Sequence, residues 1–187
     1  MDLHAENGAL TPIIQTERLT LRPLAPSDTA DLHVIAAQWP VVRQLGGWPW
    51  PANLAFTASR SVPYTGQGFV WGVEAAGKII GSVAVTRGEL GYMIHQDYWR
   101  RGIGKTVVAA ALDRAFCQDN CPVINASVWA DNAASAKLLC SFGFTHWHTR
   151  YEQAIARGYP VLSHYYRLTR PAWDGLRNTA KSRNSGA

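Results

Sequence analysis

The stretch Tyr98-Trp99-Arg100-Arg101-Gly102-Ile103-Gly104-Lys105-Thr106 decides how this chain is read. Before it, Glu89 to His95 has the apolar content and Gly88 boundary of a strand. After it, Ile103, Val107, Ala111, Leu112 and Ala115 recur at helical spacing from Gly102 to about Cys117. The stretch is therefore a glycine-bearing turn between a strand end and a helix start, and its natural ligand is phosphate. Glycines let backbone approach an anion, the first-turn N–H groups and the helix dipole favour negative charge, and Arg100, Arg101 and Lys105 add cations. Val123 to Trp129 reads as a strand again, and a strand-helix-strand crossover makes its two strands parallel.

Two familiar phosphate-binding patterns do not fit. Gly104-Lys105-Thr106 looks like the end of a P-loop, but the glycine required five residues earlier is Trp99. A dinucleotide fingerprint needs a third glycine where Val107 stands.

Working outward, Glu17 to Leu24 alternates as a first strand closed by Pro23 and Pro26. A helix capped by Ser27 or Asp28 is expected to run to Pro40, followed by the aromatic turn Gly46-Gly47-Trp48-Pro49-Trp50-Pro51 and a weaker helix from Asn53 to Ser61. Phe69 to Ala75, Lys78 to Thr86 and Glu89 to His95 form an antiparallel meander, because Gly77 and Gly88 leave room only for hairpins. After the strand Val123 to Trp129, Asp131-Asn132 caps a short helix that stops at Gly143, and strands close the chain near 144–151 and 162–168. The order is βααβββαβαββ, an α/β fold with a mixed, mostly antiparallel sheet. Residues 13–170 are expected to form one domain, with 1–12 and 171–187 as terminal tails.

The chain has 187 residues, 47% of them hydrophobic and 17% charged, which excludes a disordered chain and allows a real core. The net charge is +5, but five basic residues from Arg167 onward face only Asp174, leaving 13 basic and 12 acidic residues before them. That distribution reads as a solvated basic terminus, with no specific nucleic-acid surface. No leader pattern or membrane-spanning run is evident, so a cytoplasmic protein is expected. Cys117, Cys121 and Cys140 lack zinc spacing and read as buried free thiols; His146 and His148 alternate on a strand without an acidic or thiol partner, so no metal is expected.

The Gly102-x-Gly104 end of the turn resembles the Gln/Arg-x-x-Gly-x-Gly/Ala pyrophosphate loop of GNAT acetyltransferases. Their RimJ/RimL branch, ribosomal-protein N-terminal acetyltransferases, carries Tyr-Trp there, as Tyr98-Trp99 does. It also has strings like Thr16-Glu17-Arg18-Leu19-Thr20-Leu21-Arg22-Pro23, Gly91-Tyr92, Asp131-Asn132-x-x-Ser135 and Gly143-Phe144, here in matching order. The resemblance implies a GNAT fold with a splayed parallel pair of central strands, acetyl-CoA as cosubstrate, and transfer to the primary amine of a protein N-terminus or small molecule by a monomer or homodimer. By position it puts backbone at Tyr92, Met93 and Ile94 along the pantetheine arm, and residues Arg100, Arg101, Gly102, Ile103, Gly104, Lys105 and Thr106 around the pyrophosphate. Asn132 would line the pantetheine, and Ser135 would stand near the thioester sulfur, although a helix cap and a first-turn polar residue explain these two as well.

Two departures stand out. Many GNAT enzymes have an acidic tyrosine four residues before the Gly-Phe pair, where this chain has Leu139; Ser135 is the expected substitute. Arg100 stands where the branch usually has glycine. For the base that accepts the amine proton, Glu89 is the carboxylate on the central strand, with His95 and Glu152 as alternatives, although a strand-end structural role explains Glu89 and His95 as well. Trp39, Trp48 and Trp50 are expected to wall the acceptor pocket. A non-catalytic acyl-CoA-binding module and a nucleotide phosphohydrolase are the competing functions.

Overall fold

The computed structural model describes residues 13–116 and 121–184, and its elements follow the punctuation of the sequence with a few informative exceptions. The strand expected at 17–24 is shortened to β2 (Thr20–Arg22), and a further strand, β1 (Ile14–Gln15), pairs with it from before the expected run. The cause is local: Thr16 N donates to the Leu19 carbonyl while its Oγ1 accepts from Leu19 N at 3.0 Å, closing a turn over the start of the alternating run. Helix α1 (Thr29–Ala36) stops short of Pro40, which falls instead in the first turn of α2 (Trp39–Val42), where a missing N–H costs nothing. Asp28 does not cap α1 with its side chain; its buried carboxylate accepts from Ala25 N and from both terminal nitrogens of Arg22. Helix α3 (Leu54–Arg60) is capped by the Asn53 side chain, which accepts from Phe56 N.

The meander is as expected: β3 (Gly68–Ala75), β4 (Lys78–Thr86) and β5 (Glu89–Ile94) pair antiparallel. Helix α4 (Ile103–Phe116) then crosses to β6 (Val123–Trp129), and α5 (Ala133–Ser141), β7 (Thr145–Ala154) and β8 (Tyr159–Thr169) follow. Among the described residues the strands form one eight-stranded sheet in the order β1-β2-β3-β4-β5-β6-β8-β7. The fold is thus the expected mixed α/β sheet with one parallel pair, β5 and β6.

Both faces of the sheet are covered. Phe69, Trp71 and Val73 of β3 and Ile80, Val83 and Val85 of β4 pack in one cluster with Val107, Val108, Ala111, Leu112 and Ala115 of α4. Strand alternation turns the neighbouring Ile79, with Met93, to the other face, against Leu24, Leu32, Ile35 and Val41. Gly72 permits that second contact: a Cβ there would lie 2.8 Å from Leu24 Cδ2 and 2.9 Å from Ile79 Cδ1.

The C-terminal segment corrects the expectation of a tail from residue 171. Helix α6 (Arg170–Asn184) docks through Trp173, which is buried between Phe116 and Phe142, and Arg177 pairs with Asp113. The buried aromatic anchor in a mostly polar stretch is what composition averaged away.

Candidate functional site

β5 and β6 share a single pair of facing residues, Glu89 and Asn125, with Asn125 N donating to the Gly88 carbonyl at 2.8 Å. Beyond it the strands diverge, whereas β4 stays paired with β5 as far as Ile94. His95 N bonds to the Ile80 carbonyl of β4, so strand alternation turns the N–H groups of Tyr92 and Ile94 toward the gap. The Ile94 carbonyl on the same side accepts from Trp99 Nε1 at 2.7 Å, which fixes the turn that follows.

That turn carries the two left-handed residues Arg100 (φ 57°) and Gly102 (φ 78°) and delivers the chain into α4. The Arg100 backbone explains why glycine suits this position. Thr106 N is the first α4 amide with a helical acceptor, the Gly102 carbonyl at 3.1 Å, so the amides of residues 103–105 have none within the helix. A cleft of about 660 Å³ runs along these groups. Its walls include Tyr92, Met93 and Ile94 of β5, Arg100, Gly102, Ile103 and Gly104 of the turn, and Asn132 and Ser135 of the α5 entrance. Gly104 faces α5, where a Cβ would lie 3.3 Å from Leu138 Cδ2.

The other loop cations lie elsewhere. Arg101 stacks on Tyr98 at 5.3 Å and, with Thr106, lines a second hollow of about 500 Å³ behind the turn; Lys105 lines neither cavity.

At the α5 entrance the roles separate. Asn132 is the helix cap, its Oδ1 accepting from Ser135 N at 3.1 Å. The Ser135 hydroxyl is therefore free of capping and stands 2.7 Å from the Tyr92 hydroxyl. Burial pushes the Tyr92 phenol up, and the Ser135 contact offsets this only in part, so the phenol keeps its proton at neutral pH. Leu139, at the usual tyrosine position, is 1% exposed in the core. Sequence reading named Tyr92 for its backbone and missed the hydroxyl, because the proximity of residues 92 and 135 is created by the crossover.

Several expected site residues are placed differently. Glu89 is exposed at the closed end of the gap, paired across to Asn125 and outside the cleft lining. His95 has both ring nitrogens engaged, Nδ1 by Asp97 N at 3.2 Å and Nε2 by the Gln38 side-chain amide at 2.6 Å. Trp39, Trp48 and Trp50 do not line the cleft. Trp39 and Trp50 contact each other at 5.2 Å, and Trp48 packs edge-on to Phe56 against the α1 cluster; Pro40, Val41 and residues 43–46 form the wall instead. Of the cysteines, Cys121 is half-buried, Cys140 is exposed rather than buried, and Cys117 lies outside the described residues. A β-bulge between His146 and His148 breaks their shared face.

The wall at 43–46 is held by Arg157, from the turn between β7 and β8, whose side chain is 4% exposed. Its Nε donates to the Arg43 carbonyl at 2.8 Å, Nη2 to Gln44 Oε1 at 3.1 Å, and both terminal nitrogens reach the Asp131 carboxylate. Asp131 also receives Arg43 Nη2. The Arg157 hydrogen bonds, together with the charges of Arg157 and Arg43, hold the Asp131 carboxyl below the ordinary carboxylate range.

A phosphopantetheine thioester fits this cleft in chemical terms: two strand amides without strand partners, a helix start with free amides, a left-handed glycine open on its Cβ side, and an apolar floor. Comparison with known proteins agrees. Residues 18–145 match the family model of the acetyltransferase (GNAT) domain, and the chain belongs to that family. Its reaction is acetyl-CoA-dependent acetyl transfer.

An uncharacterized N-acetyltransferase, YoaA, of Bacillus subtilis (strain 168) is 25% identical over 173 residues, covering 86% of this chain and 98% of that protein. Among solved structures, the ribosomal L7/L12 α-N-protein acetyltransferase RimL, in complex with coenzyme A, superposes with a TM-score of 0.71 at 15% identity, covering 86% of this chain and 99% of RimL. The microcin C7 self-immunity acetyltransferase MccE, in complex with acetyl-CoA and AMP, gives 0.67 at 14% identity, covering 82% and 93%. At these identities the structural likeness speaks to the fold. No helix among the described residues is long and apolar enough to cross a membrane.

Proposed function

We propose that this protein is an N-acetyltransferase of RimJ/RimL type that passes the acetyl group directly from acetyl-CoA to a primary amine. The observation that carries the reading is the gap between β5 and β6, where Tyr92 and Ile94 amides stand unpaired beside the amide-rich start of α4. Bound acetyl-CoA supplies an acetyl thioester, and attack by an amine yields an amide and the free thiol.

The Tyr92 N–H orients the donor along β5, and the Ile94 N–H stabilises negative charge that develops on the carbonyl oxygen. Arg100, Gly102, Ile103 and Gly104 hold the pyrophosphate through backbone amides and charge. Ser135 delivers a proton to the departing sulfur and is resupplied by the Tyr92 phenol 2.7 Å away, and the proton that the amine loses on acylation restores the phenol by way of solvent. The vacancy created by Leu139 is thus filled by Ser135, one turn earlier on α5, backed by Tyr92 of β5. The demand on this pair is modest, because a thiol of pKa ~8.5 leaves readily.

The test is thiol release by the purified protein with acetyl-CoA and a panel of primary amines, alongside calorimetric binding of acetyl-CoA and of ATP with magnesium. Binding of acetyl-CoA with amine-dependent thiol release is expected. Binding without turnover would make the protein an acyl-CoA-binding module, and binding of ATP with magnesium alone would return the nucleotide phosphohydrolase.

A further inference from the structure

β6, β8 and β7 present a row of side chains on one sheet face beside the cleft. Ser127 of β6 faces Tyr165 of β8, Trp129 faces Ser163, and Ser163 in turn faces Arg150 of β7. Glu152, two residues beyond Arg150, shares that face. Over this row lies a chamber of about 280 Å³ lined by Gln44, Gly46, Ser127, Trp129, Glu152 and Gln153. Gln44, Gly46 and Ser127 also line the large cleft, so the two cavities meet at a shared wall.

Glu152 is the only charged residue in the chamber lining. Its carboxylate accepts from Arg150 Nη2 at 2.8 Å and is half-buried. Burial pushes the carboxyl up, but the nearby Tyr165 hydroxyl and the hydrogen bond and charge of Arg150 outweigh it and hold the group below the ordinary carboxylate range. The remaining polar groups, from Gln44, Gln153 and Ser127, are neutral. An anion brought here would meet a carboxylate with no lining cation, since Arg150 is already committed to Glu152 and to the Tyr165 hydroxyl. A cation would be attracted, and a neutral polar group would find amide partners.

Resting on the acetyltransferase reading above, we infer that this chamber seats the acceptor, and that it selects primary amines whose neighbouring groups are cationic or uncharged over those flanked by carboxylate. Arg157 makes the chamber possible by clamping Gln44 over the sheet face, a role of positioning without contact to the reacting atoms. The small volume admits the amine-bearing end of an acceptor and leaves the rest of the molecule outside.

Three primary amines of similar size test this: a diamine, an amino alcohol, and an amino acid carrying a second carboxylate. Acetylation of each is followed by thiol release at saturating acetyl-CoA, with acetyl-CoA affinity measured separately by calorimetry. For the wild type, kcat/KM for the diamine and the amino alcohol should exceed that for the diacid by tenfold or more. Glu152→Gln should raise KM for the diamine about tenfold with little change for the amino alcohol, and Glu152→Lys should bring the diacid level with the diamine or above it. Equal use of all three amines by the wild type, or an unchanged ranking in both variants, would overturn the inference. Loss of acetyl-CoA binding by the wild type, or binding with no thiol release from any of the amines, would instead overturn the underlying acetyltransferase reading, and calorimetry beside turnover tells the two failures apart.

Discussion

The two sides of the cleft are constructed differently. The side proposed to hold the donor is backbone: strand β5, the turn at 98–102 and the first turn of α4, contiguous in sequence, offer amides in fixed directions. The opposite side is side chains gathered from afar, with Arg157 reaching Arg43 across 114 positions and Asp131 across 26. A backbone-built wall depends on conformation and tolerates changes of side chain. A wall made of side chains depends on long-range contacts, and its preference can be altered without disturbing the donor side.

The sharpest way to break the donor wall is Gly102→Val. A β-branched residue at φ 78° is forced into a left-handed conformation costing about 1–2 kcal/mol, with its side chain turned into open space beside the anion site. Acetyl-CoA affinity should fall about a hundredfold, equivalent to ~2.7 kcal/mol, in a calorimetric titration. An unchanged affinity would place the pyrophosphate away from this turn.

Arg157→Ala attacks the other wall. It leaves the Arg43 carbonyl and the Gln44 amide without their donor and Asp131 with one partner of two, and should cost about 2 kcal/mol in urea unfolding. Acetyl-CoA affinity should stay within about threefold of wild type, roughly 0.7 kcal/mol. A loss as large as that of Gly102→Val would show that the walls are not independent.

Between the walls stands the Tyr92–Ser135 pair. Ser135→Ala and Tyr92→Phe should each lower kcat about tenfold, ~1.4 kcal/mol, with KM for acetyl-CoA little changed. The double variant should be no worse than the singles, because the two hydroxyls act in one relay. Wild-type kcat in Ser135→Ala would leave positioning and oxyanion stabilisation as the whole of catalysis.

The clamp also carries a pH signature. Asp131 has a depressed pKa when folded, so its contribution is fully present above its unfolded value of about 3.9 and is lost as pH falls through the lower folded value. Asp131→Asn should flatten the dependence of the urea midpoint on pH below about 4. A wild-type profile in that variant would assign the acid sensitivity to other carboxylates, Asp28 foremost, since its Arg22 hydrogen bonds also lower it.

The smallest expected effect is Arg100→Gly. Relief of the left-handed backbone should raise stability by about 0.5 kcal/mol, while acetyl-CoA binding weakens modestly and more at low salt than at high salt. Binding that is insensitive to salt in both proteins would mean that Arg100 contributes no charge contact.

The sequence alone determined the meander, the crossover helix and the glycine-bearing turn between them, because each rests on neighbours within a few residues: the Gly77 and Gly88 hairpins, the 3.6-residue period after Gly102, and the glycines of the turn itself. It also located Asn132 and Ser135 at the α5 entrance, although it could not say which of them spends its side chain on the helix; the structure gives that work to Asn132. Only the tertiary structure decided what depends on distant contacts. Trp173 turned a polar tail into a docked helix, and the turn at Thr16 shortened the first alternating run to β2. The chain beyond β6 returned Glu152 to the chamber beside the cleft and Arg157 to the wall at 43–46, while Glu89 remained at the closed end of the gap. The Tyr92 hydroxyl met Ser135 because α4 carries the chain from one side of the gap to the other. No local pattern encodes the distance between two side chains 43 positions apart; packing of the intervening helix sets it.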